Sequence, residues 1–203
     1  MGRTSTARER LLDAACGLML SRGYGTIGVA EICARADVKK GSFYHFFESK
    51  QALTIEAINA HWAAQRTGWV ATLRGEGPAE DRLERLLLDQ AAAQRTAKAE
   101  GGAVNGCLFG NLALELSTQD AVVQARLAEI FDEQIDLVHA TLTDAAEQDA
   151  IPTPSATRAN ARAVLAQLEG MVMFAKLAND PSVLDGLWAQ TSRLLRSQGR
   201  ADD

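Results

Sequence analysis

The stretch from Val29 to Lys50 limits the possible folds of this chain more than any other part of the sequence. Its first residues, 29–36, carry apolar side chains at intervals of three and four, which predicts a short helix with one apolar face. Asp37 and Val38 then break the pattern, and residues 40–47 predict a second short helix. Two short helices joined by a tight turn are typical of a helix-turn-helix, with Val38 as the apolar contact between them.

The second of these helices has two chemically different faces. Phe43 and Phe47 are four residues apart and therefore share one face, which we expect to be buried. The other side chains on or beside this helix carry positive charge or hydrogen-bonding groups, and they are Lys39, Lys40, Ser42, Tyr44 and His45. Such a face suits the phosphates and base edges of double-stranded DNA. An ordinary solvated helix face is the alternative.

This part of the chain resembles the TetR family of bacterial transcriptional regulators. The resemblance is carried by Arg22-Gly23-Tyr24, by residues 32–38 and 41–47, and by Ser49-Lys50. An ordered string of this length is far more specific than one short motif. Two positions depart from the usual family pattern, because Gly28 stands where a Ser or Thr commonly caps the second helix and Lys39 stands where a Ser commonly opens the third. These departures concern DNA specificity rather than the fold.

The resemblance implies a ligand-responsive regulator, most often a repressor, that binds a palindromic operator as a homodimer and is released by a small-molecule effector. The implied DNA contacts are Lys39, Lys40, Ser42, Tyr44, His45 and Lys50, with Arg3 in an N-terminal arm near the minor groove. A recognition helix of about two turns reads only a few base pairs, so specific binding requires two copies on one duplex. We therefore expect a dimer.

The charge of the chain is distributed unevenly. Residues 1–50 carry eight Lys and Arg against five Asp and Glu, a net charge of +3, whereas the whole chain has a net charge of −5. An acidic protein is in general a poor candidate for binding nucleic acid. Here the positive charge coincides with the candidate DNA-binding segment, which favours DNA as its partner.

The remaining sequence shows helical patterns and no persistent strand alternation. We predict an all-α fold of about nine helices, with a capping box at Thr6 and Glu9 opening the first. The later predicted helices span residues 50–73, 78–100, a short segment after 106, 121–149 capped from Ser117, 155–179 and 181–197. The predicted domains are a DNA-binding domain, residues 1–50, with its helix-turn-helix at about 29–48 and an extension to about 66, and a helical ligand-binding and dimerisation domain, residues 51–203.

Several classes of protein are excluded by what the sequence lacks. No apolar run approaches the roughly 18 to 20 residues of a membrane span, and the first ten residues lack the apolar core of a signal peptide. We therefore expect a cytoplasmic protein with no membrane contact. The three cysteines are scattered without metal-ligand spacing, so we expect reduced thiols, no metal site and no cofactor. His45, His61 and His139 fall on separate helices with no catalytic motif, and we expect no enzymatic activity.

The family resemblance also implies a small-molecule site within helices 4 to 8. Candidate residues for it are His61, Trp62, Trp69, Cys107, Phe109, Asn111, His139, Met171 and Phe174. For any single one of these residues, ordinary core packing is the simpler explanation. The expectation therefore rests on the group as a whole.

Helices 8 and 9 carry more apolar surface than one small domain needs, together with small residues that permit close helix approach. We expect the dimer interface there, with candidate residues Ala163, Gly170, Leu187, Trp188, Leu194 and Leu195. The alternative is that these residues belong to the internal core, since both arrangements produce the same apolar stripe.

Two other functions remain open on the sequence alone. Cys107 follows Asn105-Gly106, where a helix could begin and favour the reactive thiolate, which would suit a repressor that senses electrophiles or oxidants. A helical interaction protein that has lost DNA binding is the other alternative. The intact basic helix at residues 40–47 favours DNA binding over it.

Overall fold

The computed structural model describes residues 6–197, and Arg3 lies outside these residues. The described part of the chain is all-helical, which confirms the predicted fold class. Its nine α-helices are α1 (Ala7–Arg22), α2 (Val29–Arg35), α3 (Lys40–Phe46), α4 (Lys50–Leu73), α5 (Ala79–Gly101), α6 (Leu108–Leu116), α7 (Ala121–Glu147), α8 (Arg158–Ala178) and α9 (Leu187–Ser197). Two short 3-10 helices, Thr153–Ser155 and Pro181–Gly186, precede α8 and α9.

The start of α1 is the capping box that the sequence predicts. The Thr6 hydroxyl accepts a hydrogen bond from the Glu9 backbone N–H at 3.2 Å, and the Glu9 carboxylate accepts one from the Thr6 N–H at 2.8 Å. Ser49 likewise caps α4, because its hydroxyl oxygen accepts the Ala52 N–H at 3.0 Å. At the other end of α1 the chain turns at Gly23, whose φ of 81° strongly favours glycine.

Four predicted helix starts need correction, and the first two are those of α7 and α5. Asp120, not Ser117, caps α7, since one Asp120 carboxylate oxygen accepts the N–H groups of Val122 and Val123. The Ser117 hydroxyl instead donates back to the Ala113 carbonyl within α6. Pro78 is the N-cap of α5 rather than its first helical residue.

The other two corrections concern the last helices. Helix α8 starts at Arg158 rather than near 155, because Thr157 is its N-cap and the buried Ser155 belongs to a 3-10 turn whose hydroxyl donates to the Leu195 carbonyl. Helix α9 starts at Leu187 rather than near 181, because the preceding six residues form a 3-10 helix capped by Asp180. Helices that follow proline-containing breaks therefore begin later than their apolar pattern does.

The chain divides into two compact units. Among the described residues, the first comprises 6–65 together with Cys107–Ala128, and the second comprises Arg66–Gly106 together with 129–197. The core of the first unit includes Leu11, Ile32, Phe43, Leu53, Ile58 and Phe109. The core of the second includes Leu83, Leu87, Val138, Leu142, Val164 and Leu168.

One charged residue lies inside the second unit. The Arg82 guanidinium, on α5, is only 5% exposed, and it donates to the Leu73 carbonyl at 2.6 Å and to the Asp144 carboxylate at 2.8 Å. Removing the Asp144 carboxylate would leave this buried charge uncompensated. The pair thus joins the end of α4 to α5 and α7.

Residues 6–197 contain neither a candidate membrane-spanning helix nor a candidate metal-binding group. None of the described helices is both long and apolar enough to cross a membrane. Within the same residues, no group of three or more His, Cys, Asp or Glu side chains is placed to hold a metal ion.

Candidate nucleic-acid interface

The turn between α2 and α3 is built by the backbone. Asp37 adopts a left-handed conformation with φ of 51°, which short polar residues tolerate better than most. The Val38 N–H then donates to the Cys33 carbonyl at 3.0 Å, and the Ala36 N–H donates to the Ile32 carbonyl at 2.9 Å. These bonds satisfy the last carbonyls of α2 and end it abruptly. The break predicted at Asp37 and Val38 is therefore confirmed.

The inner face of α3 is aromatic. Phe43 is fully buried and Phe47 is 2% exposed, as their spacing predicts, and their ring centroids are 5.7 Å apart. The Arg8 guanidinium of α1 lies 5.7 Å from the Phe47 ring centroid, within range of a cation–π interaction. Two large anchored rings fix the rotation of α3 about its axis and so decide which residues point outward.

The outer face of α3 holds the predicted DNA contacts. Lys39, Lys40, Tyr44 and His45 are exposed, and we call these four residues the recognition face. Tyr44 is 56% exposed, and its ring stands edge-on against the anchored Phe43 ring at 5.1 Å. Ser42 is only partly exposed. The structure therefore brings two cations, a phenol and an imidazole together on seven residues of chain.

Lys50 differs from the other predicted DNA contacts. Its ammonium group donates to the Tyr24 carbonyl at 2.5 Å and lies 3.7 Å from the centroid of the Tyr24 ring. Partial burial lowers the pKa of Lys50, while the nearby Glu115 carboxylate opposes that shift. Lys50 is thus engaged within the chain, between α4 and the loop that follows α1.

The first turn of α2 also matches the expectation from its sequence. Gly28 is its N-cap and provides no side-chain hydrogen bond. Glu31 supplies an acidic residue in that turn, where the helix dipole favours negative charge, and it pairs with Arg22. No hydroxyl group is offered at this position to a DNA phosphate.

Three effector-site candidates meet in the first unit. His61 and Trp62 on α4 both stand edge-on against the buried Phe109 ring of α6, with centroids 5.5 Å and 6.2 Å away. The Gln65 amide nitrogen lies 3.0 Å from His61 Nε2. Burial lowers the pKa of His61, so its ring is neutral near pH 7 and can accept a hydrogen bond. An apolar cluster with one neutral polar ring results.

Cys107 is the N-cap of α6. Its sulfur accepts the Gly110 backbone N–H at 3.5 Å, and the residue is partly exposed, as is Asn111 one turn along. The other two cysteines lie in different surroundings. Burial raises the pKa of Cys16 to about 12, and the pKa of the buried Cys33 is also raised by burial. Neither thiol is therefore ready to react near neutral pH.

The remaining effector candidates belong to the second unit. Trp69 is buried at 5% exposure, whereas His139 and Met171 are partly exposed. Phe174 is 55% exposed and faces solvent in the single chain. Phe174 therefore lies on a free surface rather than among buried residues.

A cavity of about 410 Å³ lies in the first unit and is lined by none of the effector candidates. Its lining residues are Arg10, Asp13, Ala14, Arg35 and Ala36.

The predicted interface residues divide into two groups. Leu187 and Leu195 are 2% and 1% exposed, so both are already covered within one chain and are not available to a partner. Ala163, Gly170, Trp188 and Leu194 are partly exposed. The largest exposed apolar side chains on α8 are Met173, Phe174 and Leu177, and with Gly170 we call them the α8 stripe.

Sequence reasoning missed two features of this region. It assigned neither Met173 nor Leu177 to the dimer interface, although their spacing of four along α8 places them on one face. It also missed Glu115 on α6, whose carboxylate accepts the backbone N–H groups of Tyr24 and Gly25. These two donors lie 91 and 90 positions earlier in the chain. The one local signal for that contact is the pair of glycines around Tyr24.

Comparison with known proteins places both parts of the chain among regulators. Residues 11–57 match the family described as bacterial regulatory proteins of the tetR family, and residues 79–191 match the tetracyclin repressor-like C-terminal domain. A curated relative, the HTH-type transcriptional repressor DhaR of Mycobacterium sp. (strain GP1), is 29% identical over 185 residues, which cover 91% of this chain and 89% of DhaR.

A second relative is the HTH-type transcriptional repressor NemR of Escherichia coli (strain K12), 36% identical over 110 residues, which cover 54% of this chain and 53% of NemR. The crystal structure of the reduced form of E. coli NemR superimposes with a TM-score of 0.79 at 27% identity, covering 91% of this chain and 94% of that one. The structure of the regulatory protein TetR from Rhodobacter sphaeroides gives a TM-score of 0.84 at 27% identity, covering 94% and 99%.

Proposed function

Because this chain belongs to the TetR family of bacterial regulatory proteins and is a DNA-binding transcriptional repressor, we propose that it binds a palindromic operator as a homodimer and is released by a small molecule. The family consists of regulators, and the chain is not an enzyme. The finer statements concern which residues contact DNA, how two chains assemble and where the effector binds.

The recognition face carries the proposal for DNA contacts. Lys39 and Lys40 offer positive charge to phosphates, and Tyr44 and His45 offer hydrogen-bonding groups, all on the exposed side of a helix anchored by Phe43. A helix held in this way can enter the major groove with its polar side chains toward the bases. Acidic residues are absent from the first turn of α3, so no like charge opposes the phosphates there.

The test of DNA binding begins with an in vitro selection. Wild-type protein is used to select duplexes from a random-sequence pool, and affinity for the selected duplex is compared with that for a scrambled duplex of equal length. Specific regulators bind their sites about 10³- to 10⁷-fold more tightly than other DNA. Recovery of a palindromic consensus is the expected result. Failure to enrich any sequence would contradict the proposal.

The α8 stripe supports the dimer proposal. Met173, Phe174 and Leu177 are 47%, 55% and 79% exposed, and beyond its own stretch of helix Gly170 has no atom within 4 Å of where a side chain would begin, which leaves room for a partner helix. Exposed apolar side chains grouped on one helix mark an interaction surface. A second copy of the chain is the partner that a palindromic operator requires. Trp188 and Leu194, partly exposed on α9, extend this proposal.

The effector proposal places a small apolar molecule with one hydrogen-bond acceptor against His61, Trp62 and Phe109. Neutral His61 accepts the Gln65 amide N–H at Nε2, which leaves its Nδ1–H to donate to the ligand, and the aromatic rings provide the apolar walls. His61 and Lys50 are both on α4, and Lys50 is the first residue of that helix, beside the recognition face. A ligand that displaces α4 at His61 therefore also moves the start of the helix.

Release then follows from the spacing of operator half-sites. Half-sites lie about 34 Å apart, so displacement of each recognition helix by a few ångströms prevents both from fitting at once. A coupling of about 1 to 3 kcal/mol between the two sites corresponds to roughly 5- to 150-fold weaker DNA binding. Linkage is reciprocal, so any ligand found should bind less tightly, by the same factor, in the presence of the selected duplex. Equal ligand affinity with and without the duplex would rule out release by this route.

Thiol sensing through Cys107 is the second candidate function. Its sulfur caps α6 and is partly exposed, whereas burial raises the pKa values of Cys16 and Cys33. The structural relative NemR was crystallised in its reduced form. Alkylation of Cys107 would replace the hydrogen-bond acceptor with a bulky group at the start of α6.

The experiment for this function uses N-ethylmaleimide and mass spectrometry. We expect Cys107 to be labelled well before Cys16 and Cys33, and labelled protein to bind the selected duplex more weakly. Cys107→Ser keeps a capping oxygen and should bind DNA normally while resisting the reagent. Labelled wild type that binds DNA as well as unlabelled protein would contradict thiol sensing and leave DNA binding untouched.

A further inference from the structure

A carboxylate from α6 is bound to the loop between α1 and α2. One Glu115 oxygen accepts the Tyr24 backbone N–H at 2.7 Å, and the other accepts the Gly25 N–H at 2.5 Å. Both N–H groups follow the end of α1 and have no helical acceptor. Charge-assisted bonds of this kind are shorter and stronger than neutral ones. We call this arrangement the Glu115 contact.

Glycines on both sides of Tyr24 make room for the carboxylate. A Cβ atom at Gly23 would lie 3.1 Å from one Glu115 oxygen, and a Cβ atom at Gly25 would lie 3.0 Å from the other. Gly23 also has φ of 81°, which other residues rarely adopt. The loop therefore presents two adjacent N–H groups in a space that a side chain would fill. This is a built anion site occupied by the chain's own carboxylate.

Tyr24 is held from its other side by α4. The Lys50 ammonium donates to the Tyr24 carbonyl at 2.5 Å and lies 3.7 Å from the centre of its ring. Glu115 and Lys50 thus bind the N–H and the carbonyl of one loop residue from two helices. The next residue of α4, Gln51, donates to Asp120 at 2.7 Å, which ties α4 to the turn after α6 as well.

The position of Glu115 within α6 is unfavourable for the helix itself. It lies in the last turn, where the helix dipole opposes negative charge. The opposite end of the same nine-residue helix begins at the Cys107 cap and carries Phe109 of the aromatic cluster. At 1.5 Å per residue, α6 spans about 14 Å between these two ends.

We propose that Glu115 is a positioning residue for operator binding, through which α6 sets the orientation of α1–α3. The proposal rests on the proposed DNA-binding function. Glu115 contacts no DNA in it: the carboxylate holds the loop at Tyr24 and Gly25, and the loop with α1 supports the anchored face of α3. A displacement of α6 is transmitted through this contact to the recognition face.

The test uses Glu115→Gln, which keeps the shape of the side chain, removes its charge and turns one acceptor into a donor facing an N–H group. Glu147→Gln, at an exposed position on α7, is the matched loss of one carboxylate. Full-length proteins are compared for affinity toward the wild-type-selected duplex and toward its scrambled version. Amide hydrogen exchange at Tyr24 and Gly25 is measured on the same samples.

We expect Glu115→Gln to bind the selected duplex about 10-fold more weakly, the loss expected of one charge-assisted hydrogen bond. Binding to the scrambled duplex should stay at the wild-type level, because non-specific binding depends on charge and not on orientation. The amides of Tyr24 and Gly25 should exchange faster. Glu147→Gln should match wild type in every measurement.

Two results would overturn the proposal while DNA binding stands. Glu115→Gln could bind the selected duplex as tightly as wild type, or it could weaken both duplexes equally, which indicates lost folded protein rather than lost orientation. If wild type selects no duplex at all, the proposed DNA-binding function fails first, and the positioning role fails with it. The selection experiment therefore separates the two failures.

Discussion

Two helices of this protein present exposed faces of opposite chemistry. On α3 the exposed side chains are charged or polar, and on α8 they are Met173, Phe174 and Leu177. Each helix buries its other face in its own unit, so each exposed face is what remains for a partner. The polar face suits a polyanion and the apolar face suits a second apolar helix. Exposure therefore identifies both surfaces, and chemistry distinguishes their partners.

The strongest test of this contrast is to place a charge in the α8 stripe. Phe174→Arg and Leu177→Arg should each yield monomers, because an arginine cannot be buried unpaired between two helices. Operator affinity should fall roughly 1000-fold, since the second recognition helix no longer binds as part of the same molecule. Sedimentation velocity and fluorescence anisotropy with the selected duplex measure the two effects.

Leu88→Arg is the matched control for both variants. Leu88 is 51% exposed on α5, close to the exposure of Phe174, but it is not part of the α8 stripe. It should remain dimeric and bind DNA normally. Dimers in all three variants would show that the α8 stripe is not the interface.

Ionic strength separates the two faces without any mutation. If Lys39 and Lys40 of both chains each neutralise a phosphate, the slope of log affinity against log salt is about −3.6, and DNA binding falls about 100-fold between 50 and 200 mM salt. Dimerisation through an apolar surface should not weaken over that range. Lys40→Ala should flatten the slope by about 2 per dimer. If the dimer dissociated as salt rises, its interface would be held by charged contacts rather than by apolar burial.

A smaller effect is expected from the phenol on the recognition face. Tyr44→Ala should weaken binding to the selected duplex about 10-fold, as expected for the loss of one good base or phosphate contact. Its melting temperature should change little, because Tyr44 is 56% exposed. Val122→Ala, which removes a side chain 58% exposed in the same unit, is the control. Unchanged DNA affinity in Tyr44→Ala would remove this residue from the interface.

The sequence predicted what local patterns encode. The capping box at Thr6 and the break at Asp37 each depend on residues a few positions apart, and both are present as expected. The recognition face was predictable for the same reason, since anchoring Phe43 on one side leaves Tyr44 and His45 on the other.

The apolar stripes were harder to interpret, because periodicity shows that a helix has an apolar face but not what covers it. Leu187 and Leu195 turned out to be covered by their own chain, whereas Phe174 and Leu177 are open to solvent. The Glu115 contact was not predictable from any such pattern. It joins residues 91 positions apart, and only the fold brings them together.

The smallest expected effect concerns acid, and it acts on the unit that carries α3. Burial lowers the pKa of His61 from its ordinary value of 6.5. As pH falls below about 6.5, the unfolded chain takes up a proton at His61 before the folded chain does, so the unfolded state binds more protons. Stability that is fully present above that value is therefore lost as pH falls toward the lowered folded pKa.

His61→Gln cannot take up this proton, so its melting temperature should fall less than that of wild type between pH 7.5 and about 5.5. His139→Gln on α7 is the matched substitution and should follow wild type. The α8 stripe contains no titratable group, so the dimer should persist at 25 °C over the same range. An equal acid loss in wild type and His61→Gln would show that the histidine beside Phe109 is not what makes this unit sensitive to acid.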